Sequence, residues 1–136
     1  MKKLALSLVC FVSVAFLASC QPDITNPEPS ISILTGDGYV QNNDVVDIAT
    51  YCKFGFNVAS NSQTQQLLST LTVTVDGNQW AYIDLTGMSE FSYTDTVFYT
   101  LDRDSIIGES SIKAVVTDAA GQTNTATINL QINPPE

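Results

Sequence analysis

The chain contains no histidine, which removes the commonest general base, proton shuttle and neutral-pH metal ligand. Its serines therefore lack the imidazole that activates a hydroxyl nucleophile. Its three cysteines, at positions 10, 20 and 52, form no zinc-type cluster. No glycine-rich phosphate loop occurs. Hydrolysis by paired carboxylates is open on numbers alone, but no sequence feature marks a cleft to hold the pair. Basic residues are scarce, 5 against 14 acidic, for a net charge of −9. A chain of that sign without a basic stripe is repelled by nucleic-acid phosphates and anionic headgroups, so nucleic acid is excluded as a partner. No segment has a helical apolar period and there is no internal repeat. The expectation is a protein that is not an enzyme and carries no cofactor.

What is present begins at the N-terminus. Lys2 and Lys3 precede an apolar run from Leu4 to Phe16, and Leu17-Ala18-Ser19-Cys20 follows. A charged start, a short apolar stretch and small residues are the marks of a secretory signal peptide. The run is shorter than the ~20 residues that span a bilayer. Because the small residues lead directly into a cysteine, the segment resembles the lipobox of bacterial lipoproteins. The resemblance implies that residues 1–19 are a cleaved leader, that the Cys20 sulfur carries a diacylglycerol and that its freed amine is acylated. It also implies a cell-envelope location. Gln21, rather than an aspartate, follows Cys20, which favours the outer membrane and leaves its surface and periplasmic faces both open. Cleavage before Cys20 leaves 136 − 19 = 117 residues, enough for one domain. With Lys2 and Lys3 gone, 3 basic residues face 14 acidic ones, or −11. Attachment to membrane lipid then rests on the acyl chains, at about 0.8 kcal/mol per buried methylene. Cys52 has no thiol left to pair with, so the domain relies on packing.

Residues 20–30 hold Pro22, Pro27 and Pro29 and read as an extended, semi-stiff tether. From 31 to 133 apolar and polar residues alternate between turn signals, the pattern of half-buried strands. Ile31-Ser32-Ile33-Leu34 opens the series. Val46, Ile48, Thr50, Cys52, Phe54, Phe56 and Val58 share one parity and predict one strand with Cys52 on its inner face. Residues 59–67 read as a polar loop with room for one helical turn. Leu71, Val73 and Val75 alternate with threonines up to Asp76-Gly77, a pair suited to a tight hairpin because both accept positive φ. Residues 80–85 form the return and 91–101 a further strand. About seven strands in about 100 residues predict an all-β, two-sheet antiparallel sandwich. The closing hairpin, Ile112-Lys113-Ala114-Val115-Val116-Thr117-Asp118-Ala119-Ala120-Gly121-Gln122-Thr123-Asn124-Thr125-Ala126, resembles that of bacterial immunoglobulin-like domains. That resemblance implies a single immunoglobulin-like sandwich over 31–133. Cys52 sits where antibody domains place their first disulfide cysteine, but the facing strand offers Ala114 or Val116.

Several side chains are candidates for function. Of Trp80, Tyr82, Tyr39 and Tyr93, one or more are expected to close the core, since aromatics bring large buried area. The alternative is a platform for stacking a sugar, with Trp80 and Tyr82 on one side of a strand. Asp102, Asp104 and Asp118 are weak calcium candidates; Arg103 sits between the first two, and solvated turn acids are the expected reading. Asp95-Thr96-Val97 and Asp104-Ser105-Ile106 resemble O-glycosylation triplets of exported proteins from some gut anaerobes, which makes Thr96 and Ser105 candidate glycosylation sites. The functional expectation is a lipid-anchored protein-interaction or scaffolding module that meets an envelope or surface protein through loops or edge strands. The alternative is a carbohydrate-binding module of a polysaccharide-uptake or adhesion system.

Overall fold

A computed structural model describes residues 27–36, 38–47, 51–87, 91–100 and 107–134. They form eight strands: β1 (Ser30–Ile33), β2 (Asp44–Asp47), β3 (Tyr51–Ala59), β4 (Leu68–Val75), β5 (Asn78–Asp84), β6 (Ser92–Thr100), β7 (Gly108–Asp118) and β8 (Thr123–Asn133). A three-stranded sheet has the order β1-β3-β6 and a five-stranded sheet the order β2-β8-β7-β4-β5. The two form the predicted sandwich.

Strand alternation builds the core. Cys52, Phe54, Phe56 and Val58 from the smaller sheet join Leu71, Val73, Val75, Ile112, Ala114, Val116, Ile128, Leu130 and Ile132 from the larger one in a single buried cluster. Phe54 and Phe56 are fully buried, each contributing roughly 1.5–3 kcal/mol over leaving the ring in water. Cys52 lies inward, as the parity requires, and desolvation holds its thiol above the ordinary value. Ala114 and Val116 share its core and offer no second thiol. At the β4–β5 hairpin, Asp76 (φ 49°) and Gly77 (φ 82°) adopt the left-handed backbone that a tight two-residue turn demands. In the 60–67 loop Asn61 starts a single turn. Its Oδ1 accepts the Gln63 and Thr64 amides at 2.8 and 3.2 Å, and the Gln65 N–H reaches the Asn61 carbonyl at 2.8 Å.

Two expectations need correction. The described strands number eight, close to the seven or so expected, but they are not all antiparallel: β2 runs parallel to β8, from Asp44 opposite Leu130 to Asp47 opposite Asn133. The stretch from Val46 to Val58 is also not one strand. β2 belongs to the larger sheet and β3 to the smaller; Ile48 and Thr50 lie outside the described residues. Both sheets of a sandwich turn apolar side chains toward the same core, so period-two alternation continues unbroken when the chain crosses between them.

Candidate functional site

The hairpin of β4 and β5 sets the site. Val73 pairs with Ala81 and Leu71 with Ile83, and these point inward; Thr72 pairs with Tyr82 and faces out. Between Ala81 and Gln79 the register shifts, making Trp80 the extra residue of a β-bulge. Trp80 is therefore 49% exposed and Tyr82 56% exposed. Of the four aromatics of which one or more were expected to close the core, these two do not. The inner positions of β5 are occupied by Ala81 and Ile83, which pack against the cluster, and the rings take the opposite parity. Tyr93 does pack on the core, half-buried.

The outward face continues across four strands in three rows. Tyr82, Thr72, Val115 and Thr125 form the middle row; Gln79, Thr74, Lys113 and Thr127 lie on one side; Asp84, Thr70, Thr117 and Thr123 lie on the other. All twelve are exposed or half-exposed, while their neighbours Leu71, Val73, Ile112, Ala114 and Val116 are buried. Seven of the twelve are threonine, and Lys113 and Asp84 cancel to zero net charge, in a chain carrying −9. The Thr86 hydroxyl donates to Asp84 at 2.6 Å. That bond, with the Thr86 amide, holds the Asp84 carboxyl below its ordinary value. The threonine rows were legible in the sequence as 70/72/74 and 123/125/127, but they read there only as strand formers.

The smaller sheet differs on its outer face. A Cβ placed on Gly55 would lie 2.5 Å from Leu34 Cδ1 and 2.7 Å from Tyr39 Cε1, so those side chains lie directly on the β3 backbone. The Tyr39 ring carries Lys53 Nζ 3.9 Å from its centroid, and its hydroxyl is 3.2 Å from Thr96 Oγ1. The Thr96 bond foremost, with the Lys53 ammonium, lowers the Tyr39 phenol below its ordinary value. Thr96, a glycosylation candidate, is thus a half-buried residue within β6 whose hydroxyl is engaged by Tyr39.

Asp118 is 2% exposed. Its Oδ1 accepts the Ala120 and Gln122 amides, both at 2.9 Å, which closes the β7–β8 turn. Its Oδ2, like Thr64 Oγ1, is buried with no hydrogen-bond partner among the described residues. Thr100 and Ile107, which bracket segment 101–106, lie at the far end of the sandwich: Thr100 pairs with Tyr51 at the start of β3, whereas Asp118 pairs with Leu68. Among the described residues no group of three or more His, Cys, Asp or Glu is placed to hold a metal ion. At the opposite end from Asp118, a polar groove lined by Asn43, Asp76, Glu109, Asn129 and Gln131 has its central carboxylate already used. Asp76 accepts Ser110 Oγ at 2.8 Å and the Ser111 amide at 2.7 Å. Cys20, Asp102, Asp104 and Ser105 lie outside the described residues, as do the leader and most of the tether.

No protein-family model matches the chain, and no curated protein sequence matches it. Among solved structures it is similar to the CARDB domain of a Pyrococcus furiosus protein. The crystal structure of that domain in complex with di-metal ions superposes with a TM-score of 0.52 at 15% identity, over 82% of this chain and 99% of that one. The solution NMR structure of the same domain gives 0.53 at 13% identity, over 81% and 100%. At such identity the likeness is one of fold: a complete β-sandwich domain.

Proposed function

We propose that this chain is a lipid-anchored, non-enzymatic binding module of the cell envelope, acylated at Cys20, tethered by residues 20–30 and displaying one β-sandwich. Outer-membrane residence is part of the proposal. In it the sandwich docks an envelope or surface protein through an open sheet edge. The observation that carries this is β6, nine residues long, which among the described strands stands at the end of its sheet beside β3. A strand at the end of a sheet is a place where a partner strand can add. The acidic balance adds that the partner presents basic residues and that association slows as salt rises.

Two experiments test it. Cys20→Ser abolishes labelling by a fatty-acid analogue and leaves the unprocessed precursor; full labelling of that variant refutes the anchor. Mild cross-linking in cells captures a protein whose link maps to β6 and whose association rate falls with ionic strength. Cross-links that never include β6, or salt-independent association, refute the edge docking. A second reading, binding of a glycan, is favoured by one observation: Trp80 and Tyr82 are turned to solvent instead of into the core.

A further inference from the structure

We infer that the three outward rows across β5, β4, β7 and β8 are a binding surface for an extended, uncharged polysaccharide chain, with Trp80 and Tyr82 as stacking rings and the threonines as hydrogen-bonding partners. The inference rests on the glycan reading above and adds the residues and the ligand class.

Three features of the face point to this chemistry. The first is its charge. The twelve positions of these three rows sum to zero, Lys113 against Asp84, while the chain as a whole carries −9 and the exposed acids Glu109 and Asp47 of the same sheet lie in rows beyond them. A partner recognised by charge, such as a basic protein surface or an anionic polymer, has little here to hold it. A neutral polyol does.

The second is the pairing of chemistries. Sugars present apolar C–H faces and a rim of hydroxyls. Trp and Tyr supply flat apolar rings with a polar tip, and each threonine hydroxyl both donates and accepts. Tyr82 stands opposite Thr72, and the row runs on through Val115 to Thr125. β-Branched side chains are stiff at χ1, so these hydroxyls are held in place before any ligand arrives and lose little freedom on binding.

The third is shape. Small molecules are held in concave sites that bury most of their surface, and this face is an open sheet. Adjacent strands lie about 4.8 Å apart, so a four-position row spans roughly 15 Å. A surface of that length, with rings at one end and hydroxyls along it, suits a polymer gripped weakly at many points. It does not suit a single sugar.

The test is affinity electrophoresis of the full chain, solubilised in detergent, through gels containing a soluble β-glucan, a galactomannan, an arabinoxylan or, as the charged control, polygalacturonate. The expected result is retardation by at least one neutral polymer, not relieved by millimolar free monosaccharide. Trp80→Ala and Tyr82→Ala each weaken it at least tenfold. Thr72→Val and Thr125→Val, which remove a hydroxyl but keep the branched shape and strand preference, weaken it several-fold, with the melting temperature within a few degrees of the parent. Tyr51→Ala, which removes an exposed ring on the other sheet, leaves retardation unchanged. Retardation by a neutral polymer that survives Tyr82→Ala and both Thr→Val changes overturns this face while leaving glycan binding standing. Retardation by polygalacturonate alone overturns the uncharged ligand class. No retardation by any polymer overturns both this inference and the glycan reading.

Discussion

The two sheets of this sandwich share a core but treat their outer faces in opposite ways. On the smaller sheet the chain covers itself around the middle of β3, although Tyr51 at the strand's start stays exposed. Leu34 and Tyr39 lie on Gly55, and Tyr39 spans from Lys53 to Thr96. On the larger sheet the threonine rows and the rings of Trp80 and Tyr82 stay open. A face closed by its own loop contributes to stability and leaves little for a partner. A face built from half-exposed threonine and aromatic side chains contributes little to packing, so its composition is free to answer to a ligand. The contrast separates a face that its own chain partly covers from one that it leaves exposed.

The largest test uses neighbouring residues of β3. Phe54 points into the core and is fully buried, so Phe54→Ala should cost about 3–5 kcal/mol through lost transfer energy and a cavity, read as a lower urea midpoint. Gly55 faces the other way. There Gly55→Ala adds a methyl where Leu34 and Tyr39 already stand and should cost about 1–3 kcal/mol by overpacking. A neutral Gly55→Ala would mean that the cover lifts freely and that the two outer faces are alike. Thr125→Ala, on the open face, should change stability by about 0.5 kcal/mol or less. A cost of several kcal/mol would show that the threonine rows hold the sheet together.

A smaller effect sharpens the comparison from inside. Burial raises the Cys52 thiol above its ordinary value, so the unfolded chain ionises at lower pH than the folded one. Stability from this group is complete below the unfolded value, about pH 8.5, and is lost as pH rises through the folded one. Urea midpoints of the parent chain should fall above that pH, and Cys52→Val should remove this part of the decline. An identical decline in the variant would mean that the thiol is solvated. A thiol reagent should likewise modify native Cys52 slowly and the denatured chain fast; equal rates would place it on the outer face.

Much of this architecture was legible beforehand because strand parity is local. The alternation through Cys52, Phe54, Phe56 and Val58, and through Ile112, Ala114 and Val116, reads straight from the chain and matches their burial. The Asp76-Gly77 turn was equally plain, since its backbone conformation suits few other residues. Parity failed where it is blind to which sheet a strand joins, between β2 and β3. It also misplaced Trp80 and Tyr82. Bulk and hydrophobicity argue for burying a ring, and the opposing argument, that Tyr82 pairs with outward Thr72, exists only once the register is known. Thr96 was singled out by a triplet; its contact with Tyr39 joins positions 57 residues apart, beyond the reach of any local pattern.

The sequence by itself determined an all-β sandwich with the Cys52 thiol on an inner face, no histidine chemistry and an excess of acidic residues. These follow from composition and period-two spacing, which act residue by residue. Only the tertiary structure decided that the first strands divide between two sheets, that one of them runs parallel to β8 and that Leu34 and Tyr39 cover one outer face around Gly55 while the threonine rows of the other stay exposed. Those depend on which strands become neighbours. That choice is made by long-range backbone pairing and core packing, in which every strand shows the same apolar face and local spacing cannot rank the partners.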